Sequence, residues 1–330
     1  MLAFVIRRVL SGLLMFLALT MITYAVFFTI PENPGTYITG IRTTPAALAK
    51  ADKVLGVDKP VYVQYLRFLK GILEGHLGNS YASQEPVTLI IKQALPVTAS
   101  IVLGGVLLMV VVALVIGVGS ALHPHTLLDR TLNTLIMCGV ALHPLVVGLL
   151  LQSVFVYSIP LAPAGGYCNL TGHGSCGVQG WAAHLLLPWI TFMLFLLPLY
   201  ARVIRTRVLE LLQQPHVAVA RAKGASEREI IRWHVLRLLV PTMATMLALD
   251  VSTSLMAAIY IEAAFALPGI GTQALTAQVG FNGLDLPVIV GIVTVVATTV
   301  IVLNVIADIV AAKADPRIVI ARTPGSTLDT

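Results

Sequence analysis

The chain has 330 residues, 57% of them hydrophobic and only 11% charged, with a mean hydropathy of +0.91. A soluble domain of ordinary composition carries about 25% charged residues, so the apolar excess cannot all be core, which excludes a soluble enzyme and points to a polytopic membrane protein. The formal net charge of +6 is modest, and the basic residues are divided among segments separated by apolar runs, which argues against a nucleic-acid surface.

Val9–Ile30 contains no charged residue and is long enough to cross about 30 Å of hydrocarbon as a helix. Arg7 and Arg8 before it resemble the start of a secretory signal. The run is too long for one and no small-x-small cleavage site follows, so it reads as a retained span. The long loop 31–92 opens on PENPG, a turn-forming cluster. Within it Pro60–Leu73 places Val61, Tyr65, Phe68, Leu69 and Ile72 at helical spacing, which suits an amphipathic helix on the membrane surface or on neighbouring spans. Val87–Leu95 reads as a short helix leading through Pro96 into a second span at 98–122. His123 and His125 on the turn that follows have no third ligand, so no metal site is expected there.

No Asp, Glu, Lys or Arg occurs from Thr131 to Ala201. That length suits two spans, about 132–157 and 183–201, parted by the Pro/Gly-rich PLAPAGGYCNLTGHGSCG. Cys138 and His143 fall in the first of these. A fifth span at 238–262 is broken by Asp250 and ends on Glu262, and a sixth at 286–308 ends on Asp308. Lipid-exposed backbone must satisfy its own hydrogen bonds, so all six are expected to be helices. Together they form one all-α membrane domain over 1–330.

Lys and Arg mark cytoplasmic loops. With the amino terminus inside, segments 1–8, 123–131, 202–237 and 308–330 hold 2, 1, 8 and 3 basic residues, and the other 7 lie in the long loop 31–92. Both termini are therefore expected in the cytoplasm. Cys168 and Cys176 then share an outside loop, where an oxidising compartment and close spacing favour a disulfide. His173 between them leaves a soft-metal site as the weaker option. Asp250 and Glu262, ionisable groups inside spans, are candidates for the translocation path or its gate; for each the alternative is a buried group paired to a neighbouring helix.

The segment 202–237 is the most informative. Pro215 can open a helix at its first position, Gly224 can close it in a left-handed cap, and Ser226 with Glu229 three residues on forms a capping box for a second helix running to Pro241. The small residues Ala218, Ala220, Ala222 and Gly224 permit close approach by another protein's groove. Arg221, Lys223, Arg228 and Arg232 would equally hold such a pair against anionic lipid.

HVAVARAKGASEREIIRWHVLR in this segment resembles the "EAA" coupling loop of permease subunits in bacterial ABC importers, most closely the B-type subunit of the oligopeptide and dipeptide permeases. LGVDKPVYVQYLRFLKGILEGHLGNS (55–80), QALPVTASIVL (93–103), IEAAFALPGIGTQAL (261–275) and NVIADIVAAKADPR (304–317) resemble the family's other motifs in order, so the likeness covers nearly the whole chain. Ala218 stands where the loop's eponymous Glu often stands, and His76 replaces a usual Asp. The resemblance implies a type I importer permease fold in the bacterial cytoplasmic membrane. It implies no catalysis or cofactor in this chain, with ATP and Mg²⁺ on two partner ATPase subunits or domains. It also implies a second homologous permease, an extracytoplasmic substrate-binding protein, and Ala220, Arg221, Ala222, Lys223, Gly224 and Ser226 as the ATPase-docking surface. The implied cargo is peptide, with nickel or glutathione as the alternative on the same machinery. A secondary transporter driven through Asp250 and Glu262 would instead call for inverted repeats and broken helices in both halves, which the sequence does not display.

Overall fold

A computed structural model describes residues 2–29, 44–46, 60–124, 126–127, 130, 134, 143–163, 165–170, 175–279 and 284–314. The regular structure among the described residues is helical, with a single isolated bridge between Asn79 and Pro86 and no strand. The helices are α1 (Leu2–Thr29), α2 (Val61–Leu73), α3 (Val87–Leu122), α4 (Pro144–Gln152, continued as a π-helix to Ser158), α5 (Gly177–Leu212) and α6 (Pro215–Ala222). There follow α7 (Leu236–Leu249, entered through Glu227–Glu229 and the π-helix Ile230–Val235), α8 (Val251–Phe265), α9 (Ile270–Gln278) and α10 (Leu286–Ala314). Five helical stretches among the described residues are long and apolar enough to cross a membrane, or six if Thr253–Phe265 and Ile270–Gln278 count as one.

The expected third span is described from residue 143 onward, where Pro144–Ser158 is a shorter apolar helix; Cys138 and most of 132–142 lie outside the described residues. Four expected boundaries differ. Val87–Leu95 is not a separate helix, because α3 runs unbroken through Pro96, and α7 likewise runs through Pro241. In an apolar medium a frayed end would strand several backbone groups, whereas an internal proline strands one. The fifth span is interrupted at Asp250 (φ −88°, ψ 4°), between α7 and α8. Asp is a poor helix-interior residue, yet the Ser254 amide still donates to the Asp250 carbonyl at 2.8 Å, so the chain keeps its hydrogen bonding. Asp308 lies inside α10 rather than at its end.

The chain divides into two compact units, Met1–Val97 with Pro268–Val305 and Thr98–Leu267 with Ile306–Thr330. In the first, Val87, Ile91 and Ala94 of α3 pack with Ile270 and Ala277 of α9 and Val288, Ile289 and Ile292 of α10. The amphipathic α2 lies on α1: Tyr24 meets the rings of Tyr65 and Phe68 at 5.8 and 5.6 Å, and its hydroxyl donates to Gln64 Oε1 at 2.8 Å.

In the second unit α3 and α5 pack side by side in the same direction. A Cβ on Gly104 would strike Trp189, one on Gly105 would meet Phe192 at 2.6 Å, and one on Gly117 would meet Ile204 at 2.7 Å. Small residues at such crossings let backbones approach where no hydrophobic effect drives helices together. The register is fixed at both ends, by Trp189 Nε1 donating to the Ser100 carbonyl at 2.9 Å and by Arg205 Nε donating to Ser120 Oγ at 3.0 Å. α4 crosses α8 in the same manner, with Gly148 against Ala264 and Phe265.

Candidate functional site

The basic segment folds as an elbow. Pro215 occupies the first turn of α6, and Gly224 takes φ +86°, a conformation L side chains adopt only with strain. There its amide donates to the Arg221 carbonyl at 2.9 Å, and the Ala225 amide donates to the Ala220 carbonyl at 3.1 Å. Ser226 opens the second arm with a full capping box. The Glu229 carboxylate accepts from the Ser226 amide at 2.8 Å, and Ser226 Oγ accepts from the Glu229 amide at 3.4 Å. Arg221 clasps Glu227 across the bend with two bonds of 2.8 and 3.2 Å.

These contacts act on charge. The Arg221 guanidinium holds the Glu227 carboxyl below its ordinary value, and the Ser226 amide does the same for Glu229. Beneath the bend Val217, Ile230 and Val235 are fully buried, which anchors the elbow to apolar neighbours. Its outer surface is open: Arg221, Ala222, Lys223, Gly224 and Ser226 are exposed, Ala220 is half-buried, and no heavy atom lies within 4 Å of where a Gly224 Cβ would be. Trp233 is 62% exposed, with the Arg232 guanidinium 5.7 Å from its ring.

The two carboxylates expected inside spans stand apart. Twelve residues separate Asp250 from Glu262, about 18 Å along a helix, so they form no pair. Asp250 is half-buried and accepts from the hydroxyl of fully buried Tyr200 at 2.7 Å. Glu262 is fully buried and accepts from Thr98 Oγ1 at 2.6 Å.

Close by, the Gly166 amide donates to the Phe265 carbonyl at 3.3 Å, and Ala266 ends α8 in the left-handed region. Gly166 belongs to a loop in which Cys168 and Cys176 are bonded, their Cα atoms 6.0 Å apart. The Tyr167 hydroxyl lies 3.2 Å from both Ser100 Oγ and Trp181 Nε1. His173 and His125 lie outside the described residues. His143 caps α4, its Nδ1 accepting from the Leu145 amide, and its ring meets Tyr260 edge-on at 4.4 Å. Among the described residues no group of three His, Cys, Asp or Glu could hold a metal ion.

One constellation escaped sequence reasoning. Asp285, the residue before α10, is 4% exposed and binds the turn after α2. It accepts from Ser80 Oγ at 2.5 Å and from the amides of Tyr81 and Ala82 at 3.1 and 3.2 Å. Burial, and the Asp285 charge beside it, push the Tyr81 phenol up to about 12. The turn is itself a closed clip: the Ser80 amide donates to the Glu85 carbonyl and the Val87 amide to the Gly78 carbonyl. The GNS of the outer-loop motif and an acidic residue at the start of an apolar run were both visible. Nothing in one sequence pairs positions 80 and 285.

Residues 1–102 match the family described as "Binding-prot-dependent transport system membrane comp, N-term", and residues 113–320 match "Binding-protein-dependent transport system inner membrane component". The chain is 33% identical over 337 residues to the di/tripeptide transport system permease protein DppB of Pseudomonas aeruginosa (strain UCBPP-PA14), covering 96% of this chain and 99% of that protein. It is 28% identical over 319 residues to the dipeptide transport system permease protein DppB of Lactococcus lactis subsp. cremoris (strain MG1363), with the same coverage.

Proposed function

We propose a function that proceeds from one fact: the chain belongs to the family of binding-protein-dependent transport system inner membrane components. It is a multi-pass inner-membrane protein. In our reading it is the permease subunit of an ATP-driven importer and, with a second permease, encloses a path for di- and oligopeptides handed over by an extracytoplasmic binding protein. The peptide cargo is drawn from the names of its relatives.

The observation that carries the mechanism is the exposed elbow. A helix pair braced by a capping box and a two-bond ion pair, anchored on buried Val217 and Ile230, can transmit a push without bending. We assign Ala220, Arg221, Ala222, Lys223, Gly224 and Ser226 as the surface on which a partner ATPase docks. The sequence has no G-x-x-x-x-G-K-[ST] phosphate loop, so nucleotide and its Mg²⁺ are handled by the partner. Drawing two such elbows together on ATP binding would rock the spans between packings, a rigid-body switch. Asp250 and Glu262 are assigned to the path or its gate, and the Cys168–Cys176 bridge to the extracytoplasmic side.

The topology we adopt is six spans with both termini inside. Its support is the shared direction of α3 and α5: two neighbouring helices can run the same way only if the chain between them, from Leu122 to Gly177, returns across the membrane. Purification of the chain from native membranes in mild detergent tests the assembly. Two phosphate-loop ATPases or one fused ATPase, a second permease and a peptide-loaded binding protein are expected to copurify. Recovery of the chain alone, where a reference importer stays intact, would remove the reading.

A further inference from the structure

The clip at residues 78–87 is closed by two layers of hydrogen bonds. A buried carboxylate is costly unless hydrogen bonds compensate it, and Asp285 meets that condition by binding Ser80, Tyr81 and Ala82 together. A second layer of bonds closes the tip: Ser80 Oγ accepts from the Ser83 amide at 2.9 Å, and the Ser80 carbonyl accepts from the Gln84 amide at 3.1 Å. Gln84 is held at φ +60°, its Nε2 donating to the Tyr81 carbonyl. A non-glycine residue in that region persists only where its surroundings over-determine it. Residues 82 to 86 are nonetheless exposed, and the Glu85 carboxylate makes no hydrogen bond or ion pair among the described residues. A rigid scaffold presenting an unpaired carboxylate is the arrangement of a recognition loop.

We propose that the tip formed by Gln84 and Glu85 is a docking contact for the extracytoplasmic substrate-binding protein, and that Asp285 is the positioning residue that holds it in shape. The inference rests on the importer reading and its topology, which place the clip outside. The matching surface on the partner carries cationic or N–H donor groups facing Glu85.

The test uses the full complex purified from native membranes, reconstituted in nanodiscs, with its copurifying binding protein added back at increasing concentration. ATP hydrolysis is read as a function of that concentration at two ionic strengths. Glu85→Arg is expected to raise the half-saturating concentration about tenfold, and to weaken its salt dependence, while the rate at saturation stays within about twofold. Asp285→Asn keeps the side chain's shape but loses its charge, and should shift half-saturation in the same direction with all subunits still assembled. Adding Asp285→Asn to Glu85→Arg should then cost less than the two single effects combined, because both act through one contact.

Unchanged half-saturation in Glu85→Arg would overturn the inference, and so would Asp285→Asn lowering only the saturated rate. If the wild-type complex ignores the binding protein altogether, the importer reading fails and the inference with it. A wild type that responds while both variants respond equally sinks the inference alone.

Discussion

Single side chains divide here into those that sit where burial is costly and those held in strained backbone. Glu262 is of the first kind: with no exposed surface, its carboxylate depends on donors such as Thr98 Oγ1. Thr98→Val keeps the volume and removes that donor. It is expected to lower stability in detergent by about 1–3 kcal/mol, the cost of leaving a buried polar group short of a partner, read as the midpoint of thermal aggregation. Gly224 is of the second kind. Gly224→Ala must hold φ +86° at a cost of about 1–2 kcal/mol, whereas Gly224→Asp adds a charge on the docking face. If the docking assignment holds, the Asp variant loses ATPase copurification and uptake, while the Ala variant keeps measurable amounts of both. The sequence made Gly224, Asp250 and Glu262 visible because each breaks a local pattern: a glycine between helical runs, a charge inside an apolar run. It concealed Asp285, whose residue type is ordinary at a span end, because its meaning lies in a bond to a turn about two hundred positions away.

Helices show the same division between local and distant causes. The elbow's two arms were legible because their ends are written in short-range chemistry: Pro215 at a first turn, Gly224 at a left-handed cap, Ser226 and Glu229 as a box. Ser226→Ala should cost about 1 kcal/mol of local helix stability, seen as roughly fivefold faster hydrogen exchange over 215–230 with other segments unchanged. The elbow also has a pH sign. Glu227 and Glu229 titrate below their ordinary values in the folded protein, so their contribution is complete above the unfolded carboxylate range, about pH 4–5, and is lost as pH falls through the depressed values. Exchange protection of 215–230, corrected for intrinsic rates, should therefore be flat from pH 8 to 6 and decline only in acid. The continuity of α3 through Pro96 and of α7 through Pro241 was not legible, because the penalty for a proline depends on whether the surroundings are water or hydrocarbon. The α3–α5 crossing likewise depends on which glycine faces which ring. Gly104→Val would drive a side chain into Trp189 and should destabilise the second unit by about 1–3 kcal/mol, while Gly119→Val, with nothing within 4 Å of its Cβ, should leave the crossing intact.

For the molecule as a whole, the decisive quantity is the number of times the chain crosses the membrane between the clip and the elbow. Hydropathy counts α3 and α5 as crossings without difficulty, but Pro144–Ser158 is too short an apolar helix to count by length. Two crossings would leave Ser83 and Ala222 on the same side, and three would put them on opposite sides. The topology proposed above has three, and the parallel packing of Gly104 on Trp189 and Gly117 on Ile204 supports that count. Charge favours the same proposal, since eight of the 21 basic residues fall in 202–237 and Lys and Arg accumulate in cytoplasmic loops. Ser83→Cys and Ala222→Cys, each exposed, convert the count into a measurement once Cys138 is replaced by serine and the Cys168–Cys176 bridge is left in place. In intact cells with a permeabilised outer envelope, a membrane-impermeant maleimide is expected to label the cysteine at 83 at once, and the cysteine at 222 only after the inner membrane is opened. Equal labelling of both before lysis would mean an even number of crossings. The elbow proposed for the ATPase and the clip proposed for the binding protein would then share one side of the membrane, and the importer topology proposed above would fall.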